Sequence, residues 1–302
     1  MKQPEQLTAE EQTKVLAERY SQRAAVYDEL WSPVIRPMGE RLLDHLPLAV
    51  AEDVIDVGTG AGALIPRIRQ SAPTARVLGV DRSEGMLRLA RSKHNHLLAL
   101  MDVQGLAVVS DQLDVAIVAF VLFHLPDPER CLEEVRRVLK AGGAVGTVTW
   151  GAEYLPGANA IWDEELEAAG ASVQALPATE NRGCCDSKEK MVQLLKQTGF
   201  ASTNAWNESL EYRWRAEEHF EYHVGGTSTA SIPERWRPRC LPASRSRTHV
   251  PRWRGAVRPE SRVGNGDRRQ ISAMVVLCWF YDHVLGVASQ YRVARSDGLL
   301  AG

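Results

Sequence analysis

The apolar run Asp53-Val54-Ile55-Asp56-Val57 leads into Gly58-Thr59-Gly60-Ala61-Gly62, a turn whose residue types suit a ligand cradle. Glycines between a strand and a helix let a ligand approach the backbone. The helix that follows turns its free amides and positive end toward that ligand. Gly58, Gly60 and Ala63 also satisfy the spacing of a dinucleotide loop, and Asp81 lies at the ~20-residue offset of a ribose-binding carboxylate. On these residues alone the cofactor stays open, and a tight turn that binds nothing is the plainer alternative. His124 is a lone imidazole after a later apolar run; it reads either as a general base or as a turn histidine bonded to a backbone carbonyl. The five cysteines form no C-x-x-C pair, and no His cluster has metal spacing, so no metal set is read.

Short apolar strands and amphipathic helices alternate around these residues. Strands are expected at 53–57, 76–80, 96–100, 113–120 and 144–150. Helices are expected from the glycine loop to about Gln70, from Ser83 to Ser92, and from Pro126 to Lys140, where Gly142-Gly143 supplies a stop. Ahead of them, 8–30 reads as an acidic helix and 38–46 as a second. Beyond them, helices are expected at 158–169 and 187–198, a more polar strand at 203–213, and a helix within 214–232. Strands this short and apolar predict a parallel sheet buried on both faces, a doubly wound α/β fold of Rossmann-like type. Ligands bind such a sheet outside the carboxyl ends of its strands.

Several ordered motifs resemble the class I S-adenosylmethionine-dependent methyltransferases, in particular the type 11 methyltransferases that include quinone-biosynthesis enzymes. Val54 to Gly62 resembles the family's first motif. Gly79-Val80-Asp81, with Ser83 and Met86, resembles the acid after strand two and the helix start that follows. Met101-Asp102-Val103 resembles the acid after strand three. Phe123-His124-Leu125-Pro126-Asp127-Pro128 resembles the turn after strand four. Leu139-Lys140-Ala141-Gly142-Gly143 resembles the L-K-P-G-G turn, with Ala in place of Pro. The resemblance is strong over about 50–150 and looser over 8–50 and 150–232. Gln104 to Val109 departs from the family's usual continuation.

The resemblance implies S-adenosyl-L-methionine as cofactor and assigns roles. Gly58, Gly60 and Gly62 close the loop over its amino-acid part, with Thr59 in the same turn and Asp56 organising the loop amides or meeting the ammonium through water. Asp81 accepts both ribose hydroxyls, using the two oxygens of a carboxylate, and Arg82 stands beside it. Asp102 accepts from the adenine amine while the Val103 amide donates, and Met86 lies against the adenine face. Phe120 or Val121 approaches the methionine portion. Tyr27, in an A-x-x-Y-D pattern, forms a lid with Tyr20 and Trp31. Trp150, Tyr154 and Trp162 are expected to line an apolar acceptor pocket. Asp81 as a helix cap, Asp102 as a solvated loop acid, and Met86 or the aromatics as plain core are the structural alternatives.

Methyl transfer from a sulfonium mainly requires alignment, which can contribute roughly 7–11 kcal/mol; a base such as His124 is needed only if the acceptor must lose a proton. The expected protein is therefore an enzyme that moves a methyl group to a small, partly apolar acceptor. The alternatives are an NAD(P)-dependent oxidoreductase and a non-catalytic cofactor-binding remnant.

Charge divides the 302 residues. Residues 1–232 carry 23 basic and 33 acidic side chains, which argues against a nucleic-acid substrate for the core. Residues 233–270 carry 11 arginines, no lysine and 3 acids, with scattered prolines. The expected division is lid helices over 1–50, the cofactor-binding domain over 51–232, and an irregular Arg- and Pro-rich tail over 233–302. That tail reads either as a basic arm or as an off-frame translation of a GC-rich gene, with Ile271 to Tyr281 as a substitute for the family's antiparallel closing strand. No apolar run is long enough to span a bilayer, and no secretion signal opens the chain. A cytoplasmic protein with reduced thiols is expected.

Overall fold

The computed structural model describes residues 7–93, 96–151, 182–215, 218, 221 and 271–285. Among these residues, seven strands form one sheet: β1 (Asp53–Val57), β2 (Arg76–Asp81), β3 (Leu97–Leu100), β4 (Leu113–Ala119), β5 (Leu139–Trp150), β6 (Ser202–Arg215) and β7 (Ser272–Leu285). Their order is β3-β2-β1-β4-β5-β7-β6, and every neighbouring pair runs parallel. The order reverses between β1 and β4, so the crevice of a doubly wound sheet opens there. All five residues of β1 are buried, as expected of a parallel strand covered on both faces.

The expected 8–30 helix is interrupted. Helix α1 (Ala9–Gln22) starts with a capping box, in which Thr8 and Glu11 bond each other's backbone amides. It stops at Arg23. A three-residue α2 (Ala24–Val26) and a π-helical turn (Tyr27–Trp31) follow, and α3 (Ser32–Leu43) begins six residues before the expected 38. Pro33 fits in the first turn of α3, where its missing N–H is not needed. Pro37 removes one helical bond, but Val34, Met38, Leu42 and Leu43 are all buried and hold the helix on the sheet.

Helices α4 (Ile65–Ser71), α5 (Glu84–Lys93), α6 (Pro128–Val138) and α7 (Lys188–Gln197) follow their expected positions. Helix α6 ends two residues early, because Leu139 already pairs with Leu113; Gly142, at φ +83°, lies in the irregular start of β5 and does not cap a helix. The readings at 158–169 and 216–232 lie outside the described residues, as do Tyr154 and Trp162, apart from residues 218 and 221.

The ending departs most from expectation. Ser272–Leu285 is an inner strand, with Ala144 and Ser202 as its opposite partners at Ser272, and it runs parallel to both neighbours. The irregular tail therefore does not extend over these residues, and the substitute strand takes a parallel course where the family resemblance implied an antiparallel one. Ala273, Val275, Val276 and Leu277 are fully buried. An apolar run this uniform suits a position covered on both faces, and it pairs β5 and β6 edges that would otherwise be open.

Candidate active site

The carboxyl ends of β1, β2 and β4 open into one cavity of about 1120 Å3, its solvent-exposed mouth included. Asp56, Gly58, Thr59, Gly60, Asp81, Arg82, Met86, Asp102, Val103, Phe120, Tyr27 and His124 all line it. Of the expected cofactor residues Gly62 lies outside the lining, and so do Trp31 and Trp150, expected at the lid and the acceptor pocket. The role of Gly62 is internal: it adopts φ +77° and donates to the Thr59 carbonyl at 2.9 Å, which closes the loop.

The glycine loop needs its composition. Gly58 sits at φ +74°, and a Cβ there would come within 2.3 Å of Val121 Cγ2. The Gly58 and Thr59 amides both donate to the Val80 carbonyl, at 2.8 and 2.9 Å, which ties the loop to the end of β2. Thr59 Oγ1 donates to Asp56 Oδ2 at 2.7 Å. Burial pushes the Asp56 carboxyl up to about 6, against the opposing effect of that hydroxyl, and the nearby Asp81 charge adds to the rise.

Asp81 joins two elements. One oxygen accepts from the Gly60 amide and the other from the Ser83 amide, both at 2.8 Å. Burial raises its carboxyl above the ordinary aspartate range despite these bonds. The following helix is capped by Ser83, whose Oγ accepts from the Met86 amide at 3.3 Å, and each Asp81 oxygen keeps further acceptor capacity toward the cavity. Asp102 is not simply solvated. Its Oδ2 accepts from Arg82 Nη1 at 2.8 Å and its Oδ1 from the Gln104 amide at 3.0 Å. The departing segment after it is anchored by buried Glu134, which accepts from the Leu106 amide at 2.9 Å, and by Arg137, which donates to the Leu106 carbonyl at 2.8 Å. This holds Val103 at the cavity wall.

Phe120, at φ +58°, is a rare non-glycine residue in left-handed backbone. The turn lets its amide continue the ladder to the Val148 carbonyl at 2.8 Å while the chain swings away from the sheet. Its ring lies 4.6 Å from Trp150, which is 6.2 Å from Trp31; Trp31 in turn stacks on Trp214 at 6.2 Å. Trp214 is buried, so its main contribution is packing.

The lid brings residues that spacing alone left unconnected. Thr13, Leu16, Ala17 and Tyr20 on α1, and Ser32, Ile35, Arg36 and Gly39 on α3, also line the cavity. The hydroxyl of Tyr20 lies 3.1 Å from His124 Nε2, and its ring meets Tyr27 edge to face at 5.4 Å. Helix α1 is fastened to α5: Ser21 Oγ accepts from the Gly85 amide at 3.1 Å and lies 2.8 Å from Ser83 Oγ. Lys93 pairs with Asp28 nearby. Met86 packs with Ala24 and Ala61 under Tyr20 and Tyr27, so it is both core and cavity wall. The i, i+3, i+4, i+7 spacing of Ser32, Ile35, Arg36 and Gly39 would have marked one helical face, but only docking shows what that face covers.

Residues 55–146 match the family model described as a methyltransferase domain. The chain is 34% identical over 131 residues to a malonyl-[acyl-carrier protein] O-methyltransferase of Hahella chejuensis, covering 42% of this chain and 47% of that one. It is 28% identical to an aklanonic acid methyltransferase of a Streptomyces species, over 44% of this chain and 63% of that one. A ubiquinone/menaquinone biosynthesis C-methyltransferase of Syntrophotalea carbinolica is 35% identical, over 33% of this chain and 44% of that one. Over this region the chain is thus similar to S-adenosylmethionine-dependent methyltransferases. It spans about half the length of the curated relatives it matches. No helix among the described residues is long and apolar enough to cross a membrane.

Proposed function

We propose that this protein transfers a methyl group from S-adenosylmethionine to a small, partly apolar acceptor. The observation that carries the reading is the shared cavity at the carboxyl ends of β1, β2 and β4, where a glycine loop and two carboxylate positions meet within a segment that matches a methyltransferase-domain model. The residues fit the cofactor. Gly60, where a Cβ would meet nothing within 4 Å, leaves open space beside the loop, Asp81 has acceptor capacity for a ribose diol, and the Asp102–Val103 corner offers an acceptor and an amide for adenine. The cofactor supplies a methyl group on a sulfonium, a carbon already activated for displacement.

In this reading the chain's task is alignment. The loop from Gly58 to Gly62 would hold the amino-acid part, with buried Asp56 behind it. Met86 and Tyr27 would flank the adenosine from the lid side. Phe120 and Val121 would form the wall against which the methyl-bearing sulfur rests. Beyond them the rings of Phe120, Trp150 and Trp31 favour an acceptor with an apolar face. His124 would take a proton from acceptors that must lose one, with Tyr20 holding its Nε2 side. By their names the three relatives act on malonyl-[acyl-carrier protein], on aklanonic acid and in ubiquinone/menaquinone biosynthesis, which supports a small acceptor group.

Calorimetric titration with S-adenosylhomocysteine and with NADH tests the choice of cofactor. Binding of the thioether alone is expected. Binding of NADH alone would reject the reading in favour of an oxidoreductase. Thioether binding without turnover across phenol, amine, carboxylate and carbon acceptors would point to a cofactor-binding protein that no longer catalyses.

A further inference from the structure

The cavity wall is acidic: Asp56, Asp81 and Asp102 all line it. Two guanidinium groups stand among its described lining residues, Arg82 and Arg36. Arg82 is committed to Asp102. Arg36 is placed differently. Its carboxylate partner among the described residues is Glu40, 3.5 Å from Nε, and both side chains are about half-exposed. Such a surface i,i+4 pair is weak and yields readily to a better-aligned anion. The terminal nitrogens of Arg36, a planar fork suited to a carboxylate, are not used by that contact.

The position of Arg36 follows from helix packing. Gly39, one turn later on the same face, lies so close to Leu64 that a Cβ would be 2.7 Å from that side chain. Leu64 lies two residues past the glycine loop, so α3 packs at the loop end of the cavity. Ser32, buried and one turn before Arg36, lines the same wall. A cation and a hydroxyl therefore face the cavity at the end where the acidic residues offer a carboxylate nothing.

We propose that Arg36, with Ser32 beside it, recognises a carboxylate bound at the glycine-loop end of the cavity. The inference rests on the methyltransferase reading. Two ligands could bring that group: the amino-acid portion of the cofactor, or an acceptor that is itself a carboxylic acid.

Calorimetry on the full chain separates these sources, using wild type, Arg36→Met and Arg36→Lys. In the first arm each protein is titrated with S-adenosylhomocysteine and with its decarboxylated analogue. If the carboxylate is the cofactor's, wild type prefers the intact ligand by about tenfold or more, as expected for a charge-assisted bond. That preference falls below about twofold in Arg36→Met and partly returns in Arg36→Lys. In the second arm, protein saturated with S-adenosylhomocysteine is titrated with benzoate. Binding by wild type that is lost in Arg36→Met, with the first preference unchanged, assigns the carboxylate to the acceptor and also supports the proposal. An unchanged preference in the variant together with no Arg36-dependent benzoate binding overturns it. Failure of wild type to bind S-adenosylhomocysteine at all defeats the methyltransferase reading itself, so the two failures are distinguishable.

Discussion

Substituting Gly85 by alanine tests whether the docked lid helix builds the cofactor site. A Cβ on Gly85 would lie 2.3 Å from the Ser21 carbonyl oxygen, 2.6 Å from Ser21 Cα and 2.7 Å from its carbonyl carbon. All three are backbone atoms of α1, so no side-chain rotation relieves the clash. Ordinary packing needs the helix to retreat by about 1 Å. That movement breaks the 3.1 Å bond from the Gly85 amide to Ser21 Oγ and stretches the 2.8 Å contact between Ser21 and Ser83. Overpacking of this kind costs about 1–3 kcal/mol, and each lost hydrogen bond about 1 kcal/mol. Alanine returns up to ~1 kcal/mol of helix propensity in α5. The net loss, about 1–3 kcal/mol, falls on docking of α1, because the sheet core beneath is untouched. Since α1 contributes Thr13, Leu16, Ala17 and Tyr20 to the cavity, affinity for S-adenosylhomocysteine should drop about tenfold, at 1.4 kcal/mol per decade. Calorimetry measures this, and limited trypsin cleavage at Lys14 and Arg19 should accelerate in the variant. Gly105→Ala, where a Cβ meets nothing within 4 Å, is the matched control. Wild-type affinity and wild-type cleavage in Gly85→Ala would refute the role given to the lid.

Three further outcomes are expected. Asp81→Asn keeps the shape but removes the charge that the Gly60 and Ser83 amides hold in place; S-adenosylhomocysteine affinity should fall by about 10- to 100-fold, and an unchanged calorimetric Kd would reject the ribose assignment. Asp56 has its carboxyl raised to about 6 from an ordinary 3.8, so the folded protein binds a proton more readily than the unfolded one between those values. Its stability contribution is therefore most favourable below pH 4 and is lost as pH rises through 6, by on the order of 3 kcal/mol. Urea unfolding of the ligand-free protein at pH 4–7 should show a steeper slope over wild type than over Asp56→Asn, where the raised Asp81 carboxyl remains; identical slopes would contradict it. His124→Ala should lower kcat by about 100-fold or more for an acceptor that must be deprotonated, with cofactor Kd little changed, while Tyr20→Phe should move the pH profile of kcat more than its maximum. A large change in cofactor Kd with kcat intact would make the pair structural.

Much of the site was legible because its chemistry is local. The glycine loop, Asp81, Asp102 and His124 each sit at the end of a short apolar strand, and a parallel sheet gathers all such ends on one edge. Phe120 was legible for the same reason. Asp102 could be marked as an acid after strand three and Arg82 as the neighbour of Asp81, but their ion pair could not, because it joins two different loops. Tyr20 and His124 are 104 residues apart, and their contact depends on how α1 docks across α5. Arg36 carried no signal of its own; it became a cavity residue only when Gly39 allowed α3 to press against Leu64.

The ending shows the same division. The run Ala273 to Tyr281 is plainly apolar in the sequence, but its composition alone allows a strand of either direction or an irregular tail. Pairing decides it: β5 and β6 leave a gap one strand wide, and β7 fills it in parallel register with both. The sequence by itself determined the local alphabet of this protein, namely where the first five strands lie, where the cradle turns, and which family its ordered motifs resemble. Only the tertiary structure decided which distant side chains share the cavity and which strand closes the sheet. The reason is physical: loop geometry and strand patterning follow from neighbouring residues, whereas lid docking, the Arg82–Asp102 pair and the placement of β7 depend on contacts between segments far apart in the chain.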